Sequence, residues 1–409
     1  MKTMNYKSMQ LTCTLAISSL FAVLGLIFLL PPARTIAHAA PFDPSDVPPG
    51  IVKDAGSLPY KTYLPLVYGA ALPQARNGWI IGTNYPAGLA VILHTAGSGV
   101  TWQSQGDLTP WPNYEGMDIS AVDNLTAWAV LSSETSGVIL HTTDGGTTWL
   151  SQTIPSSVTD GMKGIKGLSQ DIAWAASLNG TVLHTTNGGA DWSVVPHPSA
   201  PITQVNRIDA LGGLDVWIAD SSTPGGSVVH TQDNGLTWRQ EFLPPIETGP
   251  TPDSSLVVNA FSPSAVWSSG VSGSIFYRTV NSGNQWDKIV NVAPIDHLDD
   301  LCAAGANDVW AVENGDSLSG TIWRLDTAAD GAPVAKNVTP PGLVGYMPSG
   351  VTCLDTNVAW VVGSKGVMRA PSKPFGIILF TLDGGEHWRI VLSPVNSNLW
   401  KISFVGARR

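Results

Sequence analysis

The chain has 409 residues, of which 43% are hydrophobic and only 13% are charged. This composition excludes a disordered chain, and the length suits one large β domain or two ordinary domains. The formal net charge of −10 argues against nucleic-acid binding, since phosphate recognition needs clustered Lys and Arg. The 42 glycines and 30 prolines indicate frequent chain reversal, which favours many short strands over long helices.

The first 39 residues have the pattern of an export segment. Two lysines precede an uncharged stretch from Leu11 to Leu30, and Ala37 and Ala39 place small residues where an export peptidase reads them. We predict a signal peptide over residues 1–39. An uncleaved membrane anchor is the alternative, because an apolar run of ~20 residues can span a bilayer. In either case we expect the remaining chain to be extracellular or on the outer face of the cytoplasmic membrane, touching the membrane only through this segment.

A short pattern recurs along the rest of the chain. Counting from Thr142, an Asp stands two residues later, a Gly four later and Trp149 seven later. The copies that keep an acidic or amide residue at the second position carry Asp144, Asn187, Asp233, Asn281 and Asp383. An earlier copy that begins at Thr95 keeps the spacing without that residue. Such a stretch reverses the chain, because Gly accepts a positive φ and Asp or Asn accepts backbone N–H groups of its own turn. Asn keeps the acceptor oxygen but not the charge, so we interpret the pattern as a structural turn.

A tryptophan precedes each copy and opens a short apolar strand. These residues recur at intervals of 43 to 50 and are Trp79, Trp128, Trp174, Trp217, Trp267, Trp310 and Trp360. The interval is close to that of a four-stranded propeller blade. We therefore predict an all-β fold, a seven-bladed β-propeller of four-stranded antiparallel blades over residues 63–405, preceded by a Pro/Gly-rich tether over residues 40–62. The sixth blade has no turn motif and is predicted to be degenerate. Residues 398–405 are expected to pair with the first blade and close the ring.

The segments at residues 141–149 and 359–363 resemble the repeats of the photosystem II stability and assembly factors, exported propellers of cyanobacteria and plastids. They are also similar to the wider Asp-box (BNR) superfamily, which includes sialidases and some plant-polysaccharide hydrolases. The first resemblance implies an extracytoplasmic protein that holds a membrane-protein intermediate through one propeller face. We therefore expect an exported, non-catalytic platform for a protein or membrane-protein partner, with no cofactor.

Three glycan-related alternatives remain. A sialidase needs an arginine cluster for the substrate carboxylate, and the arginines that could converge are Arg207, Arg278, Arg324 and Arg369. Another glycoside hydrolase needs two carboxylates across the central opening. A cell-surface glycan-binding protein could use Trp111 and Tyr114 between blades. The candidate binding residues around the opening are Glu115, Asp118, Arg207, Asp296, His297 and Asp300. Their other interpretation is solvated loop residues and strand-end caps.

Histidines and cysteines give the last two expectations. His94, His141, His184 and His230 each precede the Thr of a turn motif. Because they lie in different blades, we interpret them as one packing position filled four times and expect no metal site. Cys302 and Cys353 occupy similar places in successive repeats. Two small buried thiols are favoured over an inter-blade disulfide.

Overall fold

The computed structural model describes residues 76–407, except 85–86, 134, 197–203, 222–226, 245–254, 271–274, 291–297, 315–319, 328–332, 344 and 366–374. The predicted export segment, the predicted tether and the candidates Asp296, His297 and Arg369 lie outside the described residues. The part of the chain that the structure describes contains no helix capable of spanning a membrane.

The described residues form 28 strands in seven four-stranded antiparallel sheets. Blade 1 contains β1 (Gly78–Asn84), β2 (Leu89–Thr95) and β3 (Gln103–Gln105), together with the last strand, β28 (Ser397–Phe404). Blade 2 contains β4 (Glu115–Ala121), β5 (Ala127–Ser132), β6 (Gly137–Thr142) and β7 (Leu150–Ser151). Blade 3 contains β8 (Met162–Gly167), β9 (Ala173–Ser177), β10 (Val182–Thr185) and β11 (Ser193–Val195). Blade 4 contains β12 (Val205–Leu211), β13 (Asp215–Asp220), β14 (Ser227–Thr231) and β15 (Arg239–Phe242).

The remaining blades have the same strand order. Blade 5 contains β16 (Ser255–Ala260), β17 (Val266–Gly270), β18 (Ile275–Thr279) and β19 (Asp287–Val290). Blade 6 contains β20 (Leu298–Ala303), β21 (Val309–Glu313), β22 (Thr321–Thr327) and β23 (Pro333–Asn337). Blade 7 contains β24 (Tyr346–Cys353), β25 (Ala359–Lys365), β26 (Phe375–Thr381) and β27 (Arg389–Leu392). The predicted seven-bladed propeller is confirmed, and blade 6 lacks only the turn motif, since all four of its strands are present.

The two ends of the described chain meet in blade 1. Strand β28 pairs antiparallel with β1, from Gly78 opposite Phe404 to Asn84 opposite Ser397. The last strand of the chain therefore supplies the innermost strand of the first blade. This pairing confirms the predicted ring closure and removes an exposed sheet edge.

The core lies between blades. The seven landmark tryptophans are fully buried, and the buried apolar residues form seven clusters, each joining two neighbouring blades. The cluster between blades 1 and 2, for example, packs Trp79 with Leu140. A single blade cannot cover both of its faces, so stacking around the axis buries them.

In blades 1 to 6, the residue directly across the strand pair from the landmark tryptophan packs on its ring. His141 stacks on Trp128 with ring centroids 3.5 Å apart, and His230 stacks on Trp217 at 3.3 Å. In blade 7 the same position is held by Phe380. Burial lowers the pKa of His141 to about 4, so its ring is neutral at pH 7. The histidines thus occupy one repeated packing position.

The turn motif is held by its own side chains. Thr142 Oγ1 accepts the Gly146 N–H at 2.9 Å, and Asp144 Oδ1 accepts the Thr148 N–H at 2.9 Å. Gly146 has a φ of 81°, which favours glycine. Asn187 Oδ1 accepts the equivalent N–H at 3.0 Å, so the amide oxygen replaces the carboxylate without loss of this bond.

Cys302 and Cys353 form a disulfide between blades 6 and 7. The expectation of two separate buried thiols was wrong. Strands β20 and β24 are the innermost strands of neighbouring blades, which places the two Cα atoms 6.0 Å apart, a distance that a disulfide spans. The 51-residue separation in sequence does not reveal this proximity.

Candidate functional site around the propeller axis

The innermost strand of every blade carries a β-bulge in its first half. The register shifts fall at corresponding places in all seven strands. The bulged residues are Met117, Lys163, Asn206, Leu256, Asp299, Ser349 and Trp400. A bulge adds one residue to a strand and re-aims its side chain, and bulges are common beside functional sites. We call the end of the ring marked by these seven residues the axial face.

In six of the blades, the residue three positions beyond the bulge bonds through its side chain to the next blade. Ser403 Oγ accepts the Ala121 N–H at 3.0 Å, and Ser120 Oγ accepts the Gly167 N–H at 3.1 Å. We call such a residue a strap. Lys166 is a strap that forms an ion pair with Asp209 at 2.7 Å. Asp209 is itself a strap and accepts the Ala260 N–H at 2.8 Å, and Asn259 accepts the Ala303 N–H at 2.7 Å. The last strap is Cys302, through its disulfide. These contacts link neighbouring blades at one level near the axis.

The two candidate carboxylates also link blades. Asp118 Oδ2 accepts the Ile165 N–H at 2.9 Å, and Asp300 Oδ2 accepts the Val351 N–H at 3.2 Å. Both side chains are only 1% exposed, and each residue directly follows a bulge. Hydrogen bonds from backbone N–H groups stabilise the carboxylate form. The oxygens that a hydrolase would use as acid and base are thus engaged by the neighbouring blade.

Asp300 is also the centre of a charge cluster that crosses the axis. Its Oδ1 lies 3.2 Å from Arg207 Nη2, and its Oδ2 lies 3.1 Å from Lys401 Nζ. We call these three residues the axial cluster. They come from blades 4, 6 and 1, which are not consecutive, so the ion pairs join blades that share no seam. Burial lowers the pKa of Lys401 to about 8, and Asp300 opposes this shift.

The structure therefore brings together two predicted residues, Arg207 and Asp300, with one that the sequence analysis missed. Lys401 lies in the strand that was predicted to close the ring, at the same position after the bulge as Asp118, Arg207 and Asp300. Aligning the closing strand with the other six innermost strands would have identified it.

The other candidates lie at the edge of this region or elsewhere. Glu115 is exposed at the start of β4, and it opposes the lowering of the Lys163 pKa by burial and by Arg207. Trp111 and Tyr114 are half-buried and pack on the core between blades 1 and 2. They are packed loop residues rather than a free aromatic surface.

Two further candidate arginines, Arg278 and Arg324, lie beside core tryptophans instead of Arg207. Arg278 and Arg324 each lie 5.7 Å from the ring centroid of a landmark tryptophan, Trp267 and Trp310. They fill the packing position that histidine occupies in blades 1 to 4. Among the described residues, no group of three or more His, Cys, Asp or Glu side chains is placed to hold a metal ion.

Comparison with known proteins identifies the family. Residues 113–409 match the family Photosynthesis system II assembly factor YCF48. The chain belongs to this family. No curated protein matches it.

Solved structures agree with the fold. A structure of YCF48 bound to D1 peptide is 20% identical, with a TM-score of 0.52, and the match covers 70% of this chain and 85% of that one. YCF48 from Cyanidioschyzon merolae is 18% identical, with a TM-score of 0.51, covering 70% and 88%. A protein from Lactobacillus plantarum is 12% identical, with a TM-score of 0.54, covering 81% and 99%. At these identities the likeness shows a shared fold.

Proposed function

We propose that this protein is an exported assembly platform that binds a segment of a membrane-protein partner on its axial face. The observation that carries the proposal is the bulge in every innermost strand. Each bulge adds one residue to its strand at the same end of the closed ring, so this feature is repeated around the axis. Membership of the YCF48 family supports a protein-binding role.

The composition of the axial face suits a peptide. Lys163 and Asp299 supply opposite charges, and Trp400 supplies a half-buried aromatic ring whose Nε1 donates to Thr83 Oγ1 at 3.0 Å. Tryptophan is enriched at protein-binding hot spots, and charged groups at an interface steer the partner and add specificity. The family member solved with a D1 peptide supports a peptide segment as the ligand class.

Two features support export. The amino-terminal sequence has the pattern of a signal peptide or anchor. The disulfide between Cys302 and Cys353 is of a kind that persists in oxidising compartments outside the cytoplasm. An extracytoplasmic protein would meet membrane proteins at their outer surface.

The test is capture of the partner from the protein's own host. Full-length protein with a carboxy-terminal tag is cross-linked in cells, purified from solubilised membranes and analysed by quantitative mass spectrometry. We expect reproducible enrichment of one membrane complex, and a loss of roughly tenfold in Lys163→Glu, since reversing a charge within an interface costs more than 1 kcal/mol.

Lys336→Glu is the matched control, because it makes the same charge change on the outermost strand of blade 6. It should capture the complex as the unmodified protein does. Enrichment of nothing above the untagged strain would overturn the proposal. Equal loss in the two variants would show that the axial face is not the binding surface.

A further inference from the structure

Two links near the axis join the innermost strands of blades 6 and 7. Asp300 Oδ2 accepts the Val351 N–H at 3.2 Å, and two residues further along both strands Cys302 bonds to Cys353. Residues two apart on a strand share a face. The disulfide therefore lies directly beneath the carboxylate at the centre of the axial cluster.

The seam between blades 2 and 3 has the same arrangement without a covalent bond. Asp118 Oδ2 accepts the Ile165 N–H at 2.9 Å, and two residues further along Ser120 Oγ accepts the Gly167 N–H at 3.1 Å. The disulfide thus occupies the position of a strap hydrogen bond. The seam between blades 2 and 3 therefore shows how this level is linked when no covalent bond is present.

The carboxylate at the blade 6–7 seam differs from Asp118 because it also forms ion pairs with two cations. Asp300 forms ion pairs with Arg207 at 3.2 Å and with Lys401 at 3.1 Å, both from other blades. Those cations attract the side chain toward the axis while the Val351 N–H holds it at the seam. A strap hydrogen bond contributes only about 1 kcal/mol, so it resists displacement weakly. A covalent link fixes the separation of β20 and β24 regardless of that attraction.

We propose that the Cys302–Cys353 disulfide is a positioning element for the axial cluster, and that the axial face reaches its binding geometry only in the oxidised protein. The bond forms when the two thiols give two electrons and two protons to a disulfide-containing oxidant, which becomes a dithiol. The statement about binding rests on the proposed function, whereas the statement about Asp300 does not.

The test is the double variant Cys302→Ser/Cys353→Ala in the full-length protein. Serine facing an alanine reproduces the strap between Ser403 and Ala121, so the seam keeps a hydrogen bond and loses only the covalent link. The first measurement is the titration of Lys401, followed by pulsed acetylation across pH and mass spectrometry of its peptide. We expect the midpoint, near pH 8 in the oxidised protein, to fall by roughly half a unit or more as Asp300 moves away.

Ser120→Ala is the matched control, because it removes a strap at the equivalent seam and touches no residue of the axial cluster. It should leave the Lys401 midpoint unchanged.

The second measurement is capture of the membrane partner, which should fall several-fold in the double variant and not in the control.

A folded double variant with an unchanged Lys401 midpoint overturns the proposal. If the double variant does not fold, wild-type protein reduced with a dithiol, its reduction verified by mass, gives the same comparison without substitution. A shifted midpoint with undiminished capture contradicts the statement about binding. A shifted midpoint with no partner captured by the wild type shows that Asp300 is positioned by the disulfide and that the proposed function is wrong.

Discussion

Asp300→Asn removes one charge from the centre of the axial cluster and leaves the shape of the side chain unchanged. The amide oxygen can still accept the Val351 N–H, but Arg207 and Lys401 lose the carboxylate that lies 3.2 and 3.1 Å from them. Removing one member of a buried ion pair costs about 3–5 kcal/mol, because a charge is left uncompensated in the interior. For a domain of roughly 330 residues, that loss lowers Tm by about 4–7 °C.

The pH dependence of this loss identifies its cause. Burial lowers the pKa of Lys401 from 10.5 to about 8, and Asp300 opposes that shift, so the variant should have a still lower Lys401 pKa. Below both values Lys401 is charged in each folded protein, and the variant carries the full deficit in stability. As pH rises toward 8, Lys401 in the variant loses its proton first and the deficit narrows. Above pH 8 the stability deficit retains only the part that comes from the lost ion pair with Arg207.

Scanning calorimetry of both proteins at about pH 6 and pH 9 measures the effect. Asp355→Asn is the control, since it removes a carboxylate charge in an exposed turn of blade 7 and keeps the oxygen that accepts the Val358 N–H. It should change Tm by less than about 1 °C. Equal stability of Asp300→Asn and wild type, or a deficit that is independent of pH, would refute the proposed role of the carboxylate in the cluster.

Further predictions concern the repeated elements. His141→Phe, which copies the Phe380 packing, should reduce acid sensitivity. The folded-state pKa of about 4 lies below the unfolded value of 6.5, so stability is lost as pH falls through that window. Thermal scans at about pH 7 and pH 5 test this. Thr142→Val should cost about 1 kcal/mol in denaturant unfolding by removing the bond to the Gly146 N–H. Asp144→Asn should be nearly neutral in the same assay, because Asn187 makes the equivalent bond. A cost as large as that of Thr142→Val would show that the carboxylate charge itself stabilises the turn.

The part of the fold that could be predicted from the sequence is the part that repeats. The turn motif and its tryptophan are local, since Thr142 and Asp144 bond to N–H groups within four residues of themselves. A local pattern that recurs at a blade-length interval determines the number of blades and the identity of the core tryptophans. The closing strand was predictable for the same reason, because residues 398–405 resemble the strand that opens each repeat.

The candidate site was predictable only in part. Arg207 and Asp300 were found as charged residues in innermost strands, but their ion pair joins blades 4 and 6, which no periodicity relates. Asp118 was selected by the same reasoning, and the structure shows it bound to the Ile165 N–H of the next blade.

The repeated local pattern was enough to predict the length of the blade, its turn, its buried tryptophan and the closure of the ring. These depend on hydrogen bonds and packing between residues close in the chain, or on their repetition. The contacts around the axis required the tertiary structure, since Lys401 meets Asp300 there and Cys302 bonds to Cys353. Those contacts join residues about 50 to 100 positions apart through the curvature of the ring, and that curvature results from how all seven blades pack together.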